Sequence, residues 1–209
     1  GGLLGDRLRG FYRSTLVDGA GDSHPIATTQ FESTDARRAF PCFDEPDMKA
    51  SFGVTLVVPE DLLAVSNGAE VSRTPLGDGT DRVVFADTIE LSTYLVAFVV
   101  GPMEATDPVD VDGVPVRIIH PPGRGDQTAF ALEVAAHSLR WLADWYGIDV
   151  PGGKVDLVAL PDFAFGAMEN LGCITFREVL LLVDPESADQ RELESVASVL
   201  SHELAHLWF

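Results

Sequence analysis

The chain has 209 residues, enough for one large or two small domains with a sizeable core. Hydrophobic residues make up 46% and charged ones 22%, the balance of a globular protein. The net charge of −19 leaves no basic footprint for phosphates and so excludes a nucleic-acid partner. No apolar run approaches the roughly 20 residues that a membrane-spanning helix needs, and the longest, Leu95 to Val100, is strand-sized.

The chain opens on Gly-Gly-Leu-Leu and stops at Phe209 inside an amphipathic pattern, so both ends read as cuts. The lack of a leader therefore says little about export. Two cysteines, Cys42 and Cys173, are too few for a disulfide framework. They read as buried thiols, which suits a cytoplasmic protein.

The first half reads as β structure. Phe52 to Val58, Arg82 to Ala86 and Tyr94 to Val100 are short β-branched and aromatic runs, separated by turn clusters at Ser66-Asn67-Gly68 and Leu76-Gly77-Asp78-Gly79. Such spacing predicts an antiparallel sandwich or saddle. The polar, proline-bearing stretch from Pro102 to Asp112 marks a domain boundary, placed between residues 104 and 105. A strand from Val114 to Ile119 follows. Asp126 can cap a helix that runs to Tyr146, with Gly147 as its stop. Val155 to Leu160 and Leu171 to Phe176 read as strands around a glycine-bearing loop. Ser187, with Gln190 three residues on, forms a capping box that opens a last helix through Trp208. Its apolar stripe is Leu193, Val196, Ala197, Leu200, Leu204 and Leu207.

That helix carries His202-Glu203-Leu204-Ala205-His206. Residues four apart share a helical face, so both imidazoles can reach one ion, and both histidines lie off the apolar stripe. Neutral imidazole is a good zinc ligand, and Glu203 beside the ion can take a proton from activated water, a pattern suited to metal-assisted hydrolysis. The other histidines read blandly: His24 in a turn before Pro25, His120 at a strand end, His137 in mid-helix, none paired with a second ligand. Asp44, Glu45 and Asp47 read as a charged turn that positions a loop. Trp141 and Trp145 read as core or interdomain packing.

Between two predicted strands lies Gly166-Ala167-Met168-Glu169-Asn170. Glycine and alanine let a backbone approach a ligand closely, an edge strand there could pair with a peptide, and Glu169 could bind a cationic group. Alone, such an acidic loop is most often a solvated one.

Combined with the histidine motif, this loop closely resembles that of the aminopeptidase N family of gluzincins. A third block agrees, running from Thr29-Gln30-Phe31-Glu32-Ser33 through Asp35-Ala36-Arg37-Arg38-Ala39-Phe40-Pro41 to Asp44-Glu45-Pro46. The resemblance implies an α+β chain: an amino-terminal β domain over residues 1–104, incomplete at its start, then the opening of a thermolysin-like zinc peptidase domain over 105–209. It implies an enzyme that removes amino-terminal residues from peptides with a free amino terminus, using one zinc ion per site. His202 and His206 would be zinc ligands and Glu203 the general base. Glu169 would hold the substrate's α-ammonium group, assisted by Glu32 or Gln30. Gly166 and Ala167 would bond the peptide backbone through their main chain, and Phe165 would line the pocket for the first side chain. An exopeptidase must reject chains lacking a terminal amine, and charge-assisted bonds to carboxylates do so.

The sequence departs from that pattern in two places. Leu207 stands where the family often has glutamine. The family's third zinc ligand, a glutamate, and its transition-state tyrosine would lie beyond Phe209. The reading therefore expects these 209 residues alone to be inactive and to hold zinc poorly, with no other side chain near the helix placed to substitute. Two alternatives stand beside it. A leukotriene hydrolase-like member of the same clan resembles Gly-Gly-Met-Glu-Asn in this loop, where Ala167 stands here. A non-catalytic peptide-binding module would have no physical need for His202, Glu203 and His206 together. The preferred first residue, peptide length limits and oligomeric state carry no signal in the sequence.

Overall fold

The computed structural model describes residues 4–184 and 186–209; the opening Gly1-Gly2-Leu3, read above as a cut, lies outside them. The fold is α+β. Its first part is built of strands β1 (Gly10–Val17), β2 (Ser23–Gln30), β3 (Thr55–Pro59), β4 (Leu63–Ser66), β5 (Glu70–Pro75), β6 (Thr80–Phe85) and β7 (Phe98–Gly101). They form two antiparallel sheets, one in the order β1-β2-β7-β4 and one in the order β3-β6-β5. Val58, Val83 and Phe85 of the smaller sheet pack with Ala64 of the larger one.

The second part contains β8 (Glu104–Ala105), β9 (Val109–Val111), β10 (Val114–His120), helix α1 (Ala129–Tyr146), β11 (Val155–Leu160), β12 (Ala167–Met168), β13 (Cys173–Arg177) and helix α2 (Gln190–Ala205). Its mixed sheet runs β12-β13-β11-β10-β8, with β9 also on β10, and the inner trio β10, β11 and β13 is parallel.

Strand β11 shows why the chain folds in layers. All six of its residues are buried, as befits a strand covered on both faces. Side chains alternate across a strand. Leu157 and Ala159 join the core under α1 and α2, whereas Val158 and Leu160 join a second core with Leu16, Ile26, Val65 and Val99 of the first sheet. The helices therefore cover one face of the mixed sheet, and the four-stranded sheet covers the other.

Several sequence expectations are corrected. The strand expected from Phe52 starts at Thr55, because the Phe52 amide bonds the Thr88 hydroxyl rather than a ladder carbonyl. Tyr94 lies in a 3-10 turn, Thr93–Leu95, where the Thr93 hydroxyl donates to the Asp44 carboxylate at 2.6 Å. The segment from Pro102 to Asp112 holds two strands, β8 and β9. Asp126 sits in a short 3-10 turn ahead of α1, whose N-cap is Thr128. Gly147, at φ +63°, ends that helix in the left-handed conformation as expected. Ser187 donates to Asp184 instead of capping α2; the cap is Asp189. His24 lies within β2 and pairs with Asp18 at 2.9 Å. Cys42 is only half-buried, while Cys173 is fully buried.

The largest correction concerns Trp141 and Trp145, which are 52% and 70% exposed. The inward stripe of α1 is Ala131, Ala135, Ser138, Leu139 and Leu142. The two indoles fall one turn apart on the outer face and stack at 5.3 Å.

Candidate active site

Helix α2 brings the histidine motif to the site. Asp189 accepts from the amides of Arg191 and Glu192, both at 2.9 Å, and so satisfies two of the free donors at the helix start. Val196, Leu200, Leu204 and Leu207 anchor the helix in the core below the sheet. The regular helix ends at Ala205, and His206 opens a 3-10 turn to Trp208. Because the backbone at His206 stays right-handed (φ −61°, ψ −17°), the relation between His202 and His206 survives. Their Nε2 atoms lie 3.2 Å apart, with ring planes at 88°.

The glycine-bearing loop meets this helix from the sheet. Among the described residues, strand β12 is at the sheet edge, paired only to β13, with Ala167 opposite Phe176 and Met168 opposite Thr175. Met168 points into the core, so Glu169 turns the other way. One ligand oxygen each of Glu169 and Glu203 and one ring nitrogen of His206 lie within 4.8 Å of one another. The expectation that only the two histidines could face an ion is thus too narrow. The Gly166 carbonyl accepts the Arg177 amide at 2.8 Å and ties the loop to β13.

Gln30 and Glu32, at the end of β2, come from the first part of the chain. They line a cavity of about 550 Å³ together with Phe165, which is half exposed. Gln30 is 1% exposed, and among the described residues neither of its amide atoms has a partner. A buried amide without partners costs about 1–3 kcal/mol, so it marks a place for a ligand or water.

Charge dominates this corner. Burial, then Glu169 and Glu32, push the Glu203 carboxyl up to about 7. Partial desolvation and Glu169 push Glu32 up, against the pull of His206. Among the described residues, none of Glu32, Glu169 and Glu203 is in an ion pair. Three carboxylates gathered without a cation make a place for one. Tyr94 belongs to the same corner: desolvation, Glu169 and Glu32 raise its phenol. Sequence reasoning missed it, because it took Tyr94 for a strand residue, and only long-range packing brings its turn to Glu169.

The donor set fits zinc. Two nitrogens each about 2.0–2.1 Å from a tetrahedral ion lie roughly 3.3 Å apart, close to the 3.2 Å between the imidazoles.

Comparison with known proteins agrees along nearly the whole chain. Residues 1–95 match the Peptidase M1 N-terminal domain, and residues 130–209 match the Peptidase family M1 domain. The chain belongs to peptidase family M1. Among M1 relatives, the puromycin-sensitive aminopeptidase of Caenorhabditis elegans is 48% identical over 209 residues, covering all of this chain and 22% of its own length. Aminopeptidase M1 of Arabidopsis thaliana is 43% identical over 208 residues, again all of this chain and 23% of its own length. The alanine/arginine aminopeptidase of Saccharomyces cerevisiae is 43% identical over 209 residues, all of this chain and 24% of its own length. The M1 chain described here thus spans between a fifth and a quarter of the length of these relatives.

Proposed function

We propose that these residues form the amine pocket and part of the zinc centre of an aminopeptidase that removes single residues from the amino terminus of peptides. One observation carries the reading: Glu169, Glu203 and His206 converge within 4.8 Å, with the His202 and His206 nitrogens 3.2 Å apart. His202 and His206 would hold the ion. Zinc, when bound, supplies a Lewis acid that polarises the scissile carbonyl and acidifies water.

Glu203, buried and with its carboxyl near neutrality, takes a proton from the attacking water and returns it to the leaving amine. Glu169 and Glu32 accept charge-assisted hydrogen bonds from the substrate's ammonium group. Gln30 offers an amide that has no partner among the described residues. The peptide backbone lies along the open edge of β12 at Gly166 and Ala167, and Phe165 walls the cavity that receives the first side chain. We place the domain boundary between residues 104 and 105, inside β8 (Glu104–Ala105), although the chain changes sheet slightly earlier, between Gly101 and Glu104. Two free thiols support work in a reducing compartment. Among the described residues, no helix is long and apolar enough to cross a membrane.

The test is Glu203→Gln in the enzyme expressed from its complete gene. Turnover of an amino-acyl amide should fall by roughly 10² or more while zinc content by elemental analysis is unchanged. Near-normal turnover would remove Glu203 from the mechanism.

A further inference from the structure

Asn67 lies in the first part of the chain, immediately after β4, and is only 5% exposed. Every polar atom of its side chain is used. Nδ2 donates to the carbonyls of Leu95 and Leu171, both at 2.8 Å, and Oδ1 accepts from the Ala97 amide at 2.8 Å. Leu171 directly follows the loop that carries Glu169, and Leu95 follows Tyr94. One amide therefore joins the segment that follows Glu169 to the one that carries Tyr94.

Packing at this joint leaves no slack. A Cβ on Gly172 would sit 2.3 Å from the Asn67 carbonyl oxygen, so only glycine lets the turn after the loop abut the first sheet. Next to it, the buried Lys154 ammonium donates to the carbonyls of Ser66 and Gly172, both at 2.6 Å, and to Asp156 at 2.7 Å. The loop needs such support, because β12 has only two residues and is paired on one side.

We infer that Asn67 is a positioning residue for amine recognition: through Leu171 it sets where Glu169 stands, so the first sheet tunes the pocket as well as lining it. The inference rests on the amine-pocket reading above. The side-chain hydrogen bonds of Asn67 go to Leu95, Ala97 and Leu171 and not to α2.

The experiment uses the enzyme from its complete gene and two probes, leucinamide and N-acetyl-leucinamide, with affinities taken as inhibition constants. The unsubstituted enzyme should bind leucinamide and discriminate against the acetylated form; equal binding of both would sink the amine-pocket reading itself. In Asn67→Ala, affinity for leucinamide should fall about 10-fold or more, a loss typical of a displaced contact. Zinc content and affinity for the acetylated probe should not change. A variant that melts earlier yet discriminates as well per folded molecule would overturn the inference. Hydrogen exchange on the unsubstituted protein covers the case in which the variant fails to fold. The amides of Asp156 and Cys173, which close on the carbonyls of Gly172 and Asn170, should open together with those of β4 and β7. Earlier, independent opening would show that Asn67 does not hold the loop.

Discussion

Burial raises the carboxyls of Glu203 and Glu32, and repulsion among the three neighbouring carboxylates raises them further. A cation relieves it, and an α-ammonium group is a cation of suitable size. Glu169→Ala should therefore lower kcat/KM for free-amine substrates by roughly 10- to 150-fold, the equivalent of about 1.5–3 kcal/mol for one charge-assisted bond. Steady-state kinetics on the complete enzyme, with an acetylated peptide as control, would measure it. An effect equal on both substrates would place Glu169 outside amine recognition. At this scale the sequence was informative where a local pattern exists. The placing of His202, Glu203 and His206 on one helix is legible from their spacing, whereas Glu169 is drawn in by the resemblance of its loop and not by the loop alone. Tyr94 and Asn67 have no such pattern, because their parts depend on contacts across the fold, such as Asn67 to Leu171, 104 residues apart.

Helix α2 illustrates how an element boundary can be misread without moving the site. Ser187 and Gln190 satisfy the capping-box spacing, but Ser187 is spent on Asp184, and Asp189 takes the cap. Asp189→Ala should cost about 1 kcal/mol of stability and leave the imidazole geometry intact, since Leu200 and Leu204 hold the far end of the helix in the core. Urea denaturation of the purified chain would show the loss as a lower midpoint at constant slope. Strands β1 and β2 were not legible because polar residues are buried in them. Ser14 bonds Asp162 at 3.0 Å, and Thr28, Thr29 and Gln30 are all inside. Their hydrophobic alternation is broken at these positions. The strands of β6, β10 and β11 were legible because only Asp81, His120 and Asp156 put a polar residue among their buried positions.

The sequence divides the chain into two parts between residues 104 and 105, but in the fold they share a wall. Leu16, Ile26, Val65 and Val99 of the first sheet pack against Ile119, Val158 and Leu160 of the second. Chemical denaturation should accordingly give one transition over both parts, and residues 1–104 alone should expose that face and bind a hydrophobic dye. Two separate transitions would refute the shared wall. At the same seam, burial alone would raise the Asp156 carboxyl, but Lys154 and Arg117 outweigh it and hold it below its ordinary 3.8. Its folded value is thus lower than its unfolded one, so its contribution to stability is present above about pH 4 and is lost as pH falls through the folded value. Urea midpoints taken from pH 6 downward should stay level in this respect and then drop below about pH 4, and Asp156→Asn should lower the plateau while flattening the drop. The stacked pair on the outer face of α1 has an optical consequence. Two near-parallel indoles 5.3 Å apart, at an interplanar angle of 12°, are coupled chromophores. They should give the protein an exciton couplet in circular dichroism that vanishes when α1 unwinds. The third indole, Trp208, is tethered to the Ile148 carbonyl beyond the end of that helix and lies two residues from His206. The couplet reads α1 alone, whereas emission sums all three indoles and so also senses the turn that carries His206, two readouts from one protein without any label.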